Sequence, residues 1–395
     1  PVFGTRPEAI KLAPVIKALE AAPEFEVRPA VTGQHREMLD QVLRVFGLHP
    51  VADLALMEHN QSLTHITCAS LSGLDELFER HRPGVVLVQG DTTTTFAASL
   101  AAFYHRIPVG HVEAGLRTGD PYQPFPEEIN RRLTSVLARW HFAPTRRAAE
   151  RLEREGVARE RIWLTGNTVI DALLAAAQAS GPVEQEQVRR HLEMGRRLVL
   201  VTTHRRESWG EPHRAVYRAL RELARRFPDI AVVVSVHPNP AVRSVALEEL
   251  GGSERVVLLD PPDYPSFVPL LKAACLVLTD SGGLQEEAPA LGKPVLVLRQ
   301  VTERPEGVEA GCARVVGTHT DRIVAEASRL LEDRTAYDRM ARAVNPYGDG
   351  KASQRIVQAL KHALGLSSTG PDPFEPRPPG RERGVGGRDG EKRCN

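Results

Sequence analysis

The densest collection of side chains able to do chemistry lies between His111 and Arg132, HVEAGLRTGDPYQPFPEEINRR, where Glu113 and Glu127 share one stretch with arginines and with Pro121, Pro124 and Pro126. Carboxylates beside guanidinium groups suit proton transfer and the support of developing charge. Each proline fixes its own φ, so the two glutamates sit on a loop with little freedom. A charged surface loop between a strand and a helix is the plain alternative, although such a loop rarely needs this many prolines. A third acid, Asp91, opens the run GDTTTT. It reads either as a helix cap ahead of four threonines or as a further acid of the same site.

The elements that must position these groups follow from periodicity. PVFGTRPEAIKLAPVIKALEAA reads as the end of a strand, a tight loop and a helix, with Pro7 in the first turn and Ile10, Ala13, Val15, Ile16 and Leu19 on one apolar face. Pro14 should kink that helix or lie near its start. Arg6 and Lys11 then stand at the mouth of a strand-loop-helix unit, where the helix N-terminus favours an anion. The chain begins only just before Phe3 and Gly4, so its first strand is short and preceding residues are expected. Further strands are predicted near Val31–Thr32, Val85–Val88, Ile107–Val109 and Ile162–Leu164, with helices between them, one over residues 64–81. Strands alternating with helices through short links predict a parallel, doubly wound sheet. Asp91 and Glu113 then lie just beyond two strand ends on one edge, where open α/β sheets build their sites.

The stretch from Ser180 to Arg197 is polar and helix-forming and reads as a linker. A second alternation follows: LVLVTTH, a helix from Pro212 to Phe227, AVVVSVHPNP, VVLLD and CLVLTDSGGLQEEAPALGKPVLVL. Two facing Rossmann-like halves would place a cleft between their strand ends. In TDSGGLQEEAPALG, Ser281, Gly282 and Gly283 can bring backbone N–H groups and a helix N-terminus to a diphosphate, and Glu287 can reach a ribose. A simple turn is the alternative. His204 and His237 each end a strand, as site groups or as satisfied core histidines.

Length and composition bound the rest. A chain of 395 residues exceeds one ordinary core, and its net charge of +1 offers no footprint for nucleic acid or a membrane surface. Cys68, Cys275, Cys312 and Cys394 are scattered without metal-type spacing and read as reduced thiols of a cytoplasmic protein. No GxGxxG supports a nicotinamide cofactor, and neither a metal nor a redox cofactor is expected. After Leu364, SSTGPDPFEPRPPGRERGVGGRDGEKRCN is rich in proline, glycine and charge, which predicts a disordered tail over 365–395.

The blocks FGTRPEAIK, QHREMLDQVL, GDTTTT, PVGHVEAGLRTGD, PEE.NR, TGNTVIDALL, HRRES, DSGG.QEEAP.LGKPVLV, TERPE and NPYGDG stand in the order of one family. From Val2 to Leu364 the chain resembles the non-hydrolysing UDP-N-acetylglucosamine 2-epimerases of bacteria. The resemblance implies a GT-B-like α/β fold. A first Rossmann-like domain would cover 1–180 together with a C-terminal helix near 351–364, and a UDP-binding domain would cover 181–350. It implies reversible conversion of UDP-N-acetylglucosamine to UDP-N-acetylmannosamine by a cytoplasmic homodimer. Carried over by position, Asp91, Glu113 and Glu127 match the catalytic carboxylates, with Arg131 and His204 beside them. Arg6, Lys11, Phe267, Ser281, Gly282, Gly283, Glu287 and Arg304 match substrate contacts. Gln34, Glu37, Glu127, Arg205 and His237 match a subsite for a second UDP-N-acetylglucosamine acting as activator. Two positions depart from the pattern: Pro262 replaces a glutamine near the uracil, and Ala69 replaces an arginine that supports the activator. Rival readings are a 2-epimerase of a diacetamido UDP-sugar, a hydrolysing epimerase, a GT-B glycosyltransferase and a non-catalytic UDP-sugar-binding protein.

Overall fold

The structure is a computed structural model that describes residues 1–33, 36–56, 61–205 and 209–376, with backbone alone at 36–38. Its contacts gather into two compact units, Pro1–Ala172 with Tyr347–Glu375, and Leu173–Pro346.

In the first unit, β1 (Val2–Phe3), β2 (Ala30–Val31) and β3 (Ala52–Asp53) form a parallel sheet in the order β1-β2-β3. A second parallel sheet runs β4 (Val86–Gln89), β5 (Val109–Val112), β6 (Trp140–Ala143) and β7 (Ile162–Leu164), in that order. Val2, Ala30, Val86, Val88 and Val109 share one apolar core, so the two sheets are packed as neighbours. The connecting helices are α1 (Arg6–Glu20), α2 (Arg36–Val45), α3 (Leu63–His81), α4 (Thr93–Tyr104), α5 (Glu127–Leu137) and α6 (Arg146–Arg154). Next, α7 (Thr168–Ala179) carries the chain into the second unit. Pro14 lies inside α1 without ending it. The strand expected at Ile107–Val109 is instead Val109–Val112, because the residues that pair with β4 begin at Val109. That shift puts Glu113 immediately after the last paired residue.

The second unit holds α8 (Glu186–Glu193), β8 (Arg197–Thr203), α9 (Glu211–Arg226), β9 (Ile230–Val236), α10 (Pro240–Leu250), β10 (Val256–Leu259), α11 (Tyr264–Ala273), β11 (Ala274–Thr279), α12 (Gly282–Ala290), β12 (Val295–Val297), α13 (Pro305–Glu309), β13 (Ala313–Val315), α14 (Thr320–Glu332) and α15 (Arg334–Ala341). Its six strands are all parallel, in the order β10-β9-β8-β11-β12-β13. Strands such as LVLVTT and ACLVLT are buried on both faces, which is why they read as unbroken apolar runs. The strand order reverses between β8 and β11, the position at which such sheets open a crevice at their carboxyl ends.

Two expectations are corrected. The stretch read as a linker carries α8, whose Val188 is fully buried in the second unit's core. The stretch read as a tail is ordered through Glu375. After α16 (Ala352–Ala363), which packs on α1, Gln358 Nε2 donates to the Thr369 carbonyl at 2.7 Å. Phe374 is 2% exposed, and its N–H donates to Leu164 O of edge strand β7 at 2.8 Å. An aromatic anchor, a strand-edge hydrogen bond and side-chain bonds such as that from Gln358 hold the segment, and average composition hides them. Residues 377–395 lie outside the described residues.

Candidate active site

Glu113 follows β5 directly, with φ at 64°. This left-handed backbone costs a non-glycine residue free energy, and neighbouring contacts must hold it there. They do. Lys11 Nζ lies 2.7 and 2.6 Å from the two carboxylate oxygens, Asn167 Nδ2 donates to Oε1 at 2.9 Å, and Gln89 Nε2 donates to Oε2. Gln89 ends β4, Lys11 projects from α1, and Asn167 sits at the start of α7. Three separate elements therefore fix one carboxylate whose side chain is 5% exposed.

Asp91 lies two residues beyond β4, the parallel neighbour of β5. The N-cap of α4 is Thr92, whose hydroxyl accepts from Thr95 N at 3.1 Å, so Asp91 is not the cap. Its carboxylate instead pairs with Arg131, and its carbonyl accepts from Asn130 Nδ2 at 3.1 Å, both from α5. Glu127 opens α5 half-buried, and its Oε2 is shielded from solvent with no hydrogen-bond partner among the described residues. A buried carboxylate oxygen without a donor is costly unless a ligand completes it.

The proline loop owes its rigidity to a residue that the sequence reading passed over. Glu128, fully buried, accepts from the amides of Thr118 at 3.0 Å and Gly119 at 3.3 Å and pairs with Arg131 and Arg132. Burial pushes its pKa up, but the two amides and Arg131 outweigh that and hold it below the ordinary value. His111 Nε2 meets the Gly90 carbonyl at 2.7 Å, tying the strand of Glu113 to the loop of Asp91. Burial drives the His111 pKa down to about 3, so the ring is neutral and donates this bond. Glu8, also buried, accepts from Gly4 N, Thr5 N, Thr92 Oγ1 and Thr95 Oγ1, joining the loops after β1 and β4. Gly4 is required there, since a Cβ would come within 2.3 Å of Thr32 Oγ1. Arg6 stands in the first turn of α1, half-exposed. Ala69 is half-buried on α3; Gln34 lies outside the described residues, as does the side chain of Glu37 on α2.

In the second unit, Ser281 is the N-cap of α12, and its side chain makes no capping bond. The guanidinium groups of Arg205 and Arg304 come within about 4 Å of where a Gly282 Cβ would stand, at 3.9 and 4.0 Å. The Arg304 guanidinium pairs with Glu286, and its backbone amide donates to the Thr302 hydroxyl. A helix N-terminus with two guanidinium groups beside it suits a diphosphate. Glu287 is half-buried one turn on, and its charge adds to burial in raising the Tyr264 hydroxyl pKa. Phe267 packs half-buried on the core from α11, and Pro262 precedes that helix. His237, after β9, accepts from Asn239 N through Nδ1 at 3.1 Å and lies against Trp209, with ring centroids 5.8 Å apart.

His204 follows β8, and Asp280 follows β11, its hydrogen-bonded neighbour at the strand-order reversal. His204 Nδ1 lies 2.8 Å from Asp280 Oδ1, and Oδ2 accepts from the amides of His204 and Arg205, both at 2.8 Å. Asp280 is 1% exposed. Burial alone would raise its pKa, but His204 and the two amides outweigh it and hold the carboxyl below its ordinary value. Sequence reasoning missed Asp280, Gln89 and Asn167. The available signal was a polar residue at the end of an otherwise apolar strand, as in VLVQ and LVLTD. Among the described residues no three His, Cys, Asp or Glu side chains group as metal ligands. No described helix is long and apolar enough to cross a membrane.

The parallel sheets, their strand orders and the acids at the strand ends are those of a two-domain α/β enzyme of the GT-B-like class. The family model for UDP-N-acetylglucosamine 2-epimerase matches residues 17–361. The UDP-N-acetylglucosamine 2-epimerase of Yersinia pestis is 54% identical over 366 residues, covering 91% of this chain and 97% of its own. The crystal structure of the UDP-GlcNAc 2-epimerase from Neisseria meningitidis bound to UDP-GlcNAc superposes with a TM-score of 0.81 at 47% identity, covering 91% of this chain and 98% of its own. That from Methanocaldococcus jannaschii, in complex with UDP-GlcNAc and UDP, gives 0.75 at 33% identity, with 91% and 98% covered. The chain belongs to the UDP-N-acetylglucosamine 2-epimerase family and is an isomerase.

Proposed function

We propose that this protein interconverts UDP-N-acetylglucosamine and UDP-N-acetylmannosamine by eliminating UDP and adding it back to a 2-acetamidoglucal. The C2 hydrogen has no neighbouring carbonyl and is not acidic. Breaking the C1–O bond to UDP first gives C1 oxocarbenium character, which makes the C2 proton removable. UDP then re-adds as a proton is delivered to the opposite face of C2. Such a reaction needs acid/base groups for both faces and cationic support for departing UDP.

The observation that carries this reading is the pair of acids at adjacent strand ends, each already matched to a cation: Glu113 to Lys11 and Asp91 to Arg131. Glu127, with its undersatisfied Oε2, adds a third carboxylate, and His204 a further proton carrier. Ser281, Gly282, Gly283, Arg205 and Arg304 suit the diphosphate, Glu287 the ribose and Phe267 the base, while Arg6 suits an anion at the mouth of α1. A glycosyltransferase would need fewer acids around C2. The test is proton NMR in deuterium oxide with UDP-N-acetylglucosamine alone. Deuterium should enter C2 of both epimers; full retention of the original hydrogen refutes elimination, and accumulating free N-acetylmannosamine favours hydrolysis.

The protein acts as a homodimer. Ile129, Leu133 and Val136 form an apolar face on α5, and Phe103 and Tyr104 lie exposed on neighbouring α4, with Val136 83% exposed. A contiguous patch of this kind suits a second copy. A monomer on sedimentation at micromolar concentration would refute this. A second UDP-N-acetylglucosamine binds as activator through Gln34, Glu37, Glu127, Arg205 and His237, weakened by Ala69. The enzyme works in the cytoplasm, where nucleotide sugars serve cell-envelope polysaccharide synthesis.

A further inference from the structure

We infer that Asp280 is a positioning residue for the reaction: it fixes the ring orientation and tautomer of His204, so that Nε2 faces substrate with a lone pair or a transferable proton. The inference rests on the reading of His204 as a proton carrier and says what makes it one.

Among the described residues the carboxylate meets the His204 ring and the amides of His204 and Arg205. Oδ2 is taken by the amides of His204 and Arg205, which fix the backbone at the end of β8. Oδ1 is buried, makes no well-aligned hydrogen bond to any described residue, and lies 2.8 Å from His204 Nδ1. A buried carboxylate oxygen with no other donor requires a hydrogen on that nitrogen. The proton therefore belongs on Nδ1, facing Oδ1. The His204 side chain is 47% exposed, and Nε2 is the ring nitrogen that Asp280 does not engage. A carboxylate that holds one ring nitrogen protonated orients the other for catalysis.

The surroundings cannot supply a substitute. His213 of α9 is buried, and burial lowers its pKa, an effect Asp280 opposes and His237 and His204 reinforce. Tyr217 is likewise buried, bonded to Thr203, and kept protonated by burial and by the Asp280 charge. Arg205 offers Asp280 its amide, while its guanidinium lies beside Gly282. No other carboxylate is paired with His204 among the described residues. The placement also explains the distance in sequence: β8 and β11 become neighbours only at the reversal of strand order.

The test combines kinetics with the tautomer itself. In Asp280→Asn the side-chain carbonyl can still accept from the two amides, but its NH2 then faces Nδ1 and selects the opposite tautomer. The expected result is a fall in kcat of about 10²- to 10⁴-fold, with KM changed by less than about threefold, because proton transfer and not binding is lost. In 15N-histidine-labelled protein, the His204 two-bond correlation pattern should show Nδ1–H in the wild type and Nε2–H in Asp280→Asn. The wild-type spectrum stands even if the variant does not fold. A wild-type ring protonated on Nε2 alone overturns the inference. So does an Asp280→Asn enzyme that keeps kcat while His204→Gln loses it. If His204→Gln itself keeps full kcat, the role of His204 is wrong and the inference falls with it. Retention of C2 hydrogen in the deuterium experiment would instead mark failure of the elimination mechanism.

Discussion

Removing the cation that holds Glu113 tests how the site is stabilised. In Lys11→Met the carboxylate keeps Gln89 and Asn167 but loses its counter-charge, and its side chain is only 5% exposed. At a separation near 2.7 Å and an effective dielectric of about 20, the gross attraction is roughly 6 kcal/mol. Desolvation of both groups returns part of that, and breaking one partner of a buried pair costs about 3–5 kcal/mol net. For a unit of about 200 residues this corresponds to a fall in Tm of roughly 10 °C. Glu113→Gln removes the charge facing the ammonium, with Lys11 21% exposed, and should cost somewhat less. The double variant should then be more stable than the sum of the singles predicts, by about 2–3 kcal/mol. Urea unfolding of all four proteins supplies the cycle. Additivity to within about 0.5 kcal/mol would mean that the pair contributes nothing as a pair.

Asp91→Asn and Glu127→Gln should each lower turnover by at least about 100-fold while the protein stays folded, and a folded variant with near-normal rate removes that acid from the mechanism. His111 titrates near 6.5 when unfolded and at about 3 when folded, so the unfolded chain binds the extra proton in that window. Its stabilising contribution is complete above 6.5 and is lost toward 3 by about 1.4 kcal/mol per pH unit. The stability gap between wild type and His111→Gln should therefore shrink as pH falls; parallel urea midpoints from pH 7.5 to 4.5 would contradict a buried neutral ring. Ala69→Arg should restore one charge-assisted contact to the activator, worth about 1.5–3 kcal/mol, and move the sigmoidal dependence on UDP-N-acetylglucosamine to lower concentration. Coinciding titrations would place residue 69 away from that ligand.

Much of this was legible in the chain. Apolar runs such as LVLVTT and the helical spacing of Ile10, Ala13 and Ile16 depend on neighbours a few residues apart, so sequence alone determined the alternating α/β architecture. It also placed Asp91 and Glu113 beyond strand ends, and the ordered motif blocks pointed to the family. Local pattern erred where one residue outweighed its surroundings. Val188 made a polar stretch part of a core, and Phe374 ordered a segment whose composition speaks for disorder.

Tertiary structure alone decided which residues hold the candidate site groups. Lys11, Gln89 and Asn167 converge on Glu113 from α1, β4 and the start of α7, and nothing periodic links those positions. The left-handed backbone at Glu113 has no marker in its residue type, since only the contacts around it maintain that conformation. Asp280 meets His204 because β11 pairs with β8. Strand neighbours are chosen by the burial of whole faces across the sheet, a free energy that depends on all the elements together. The residue types at each strand end were therefore written in the sequence, and their pairing across the sheet was settled only when the core closed.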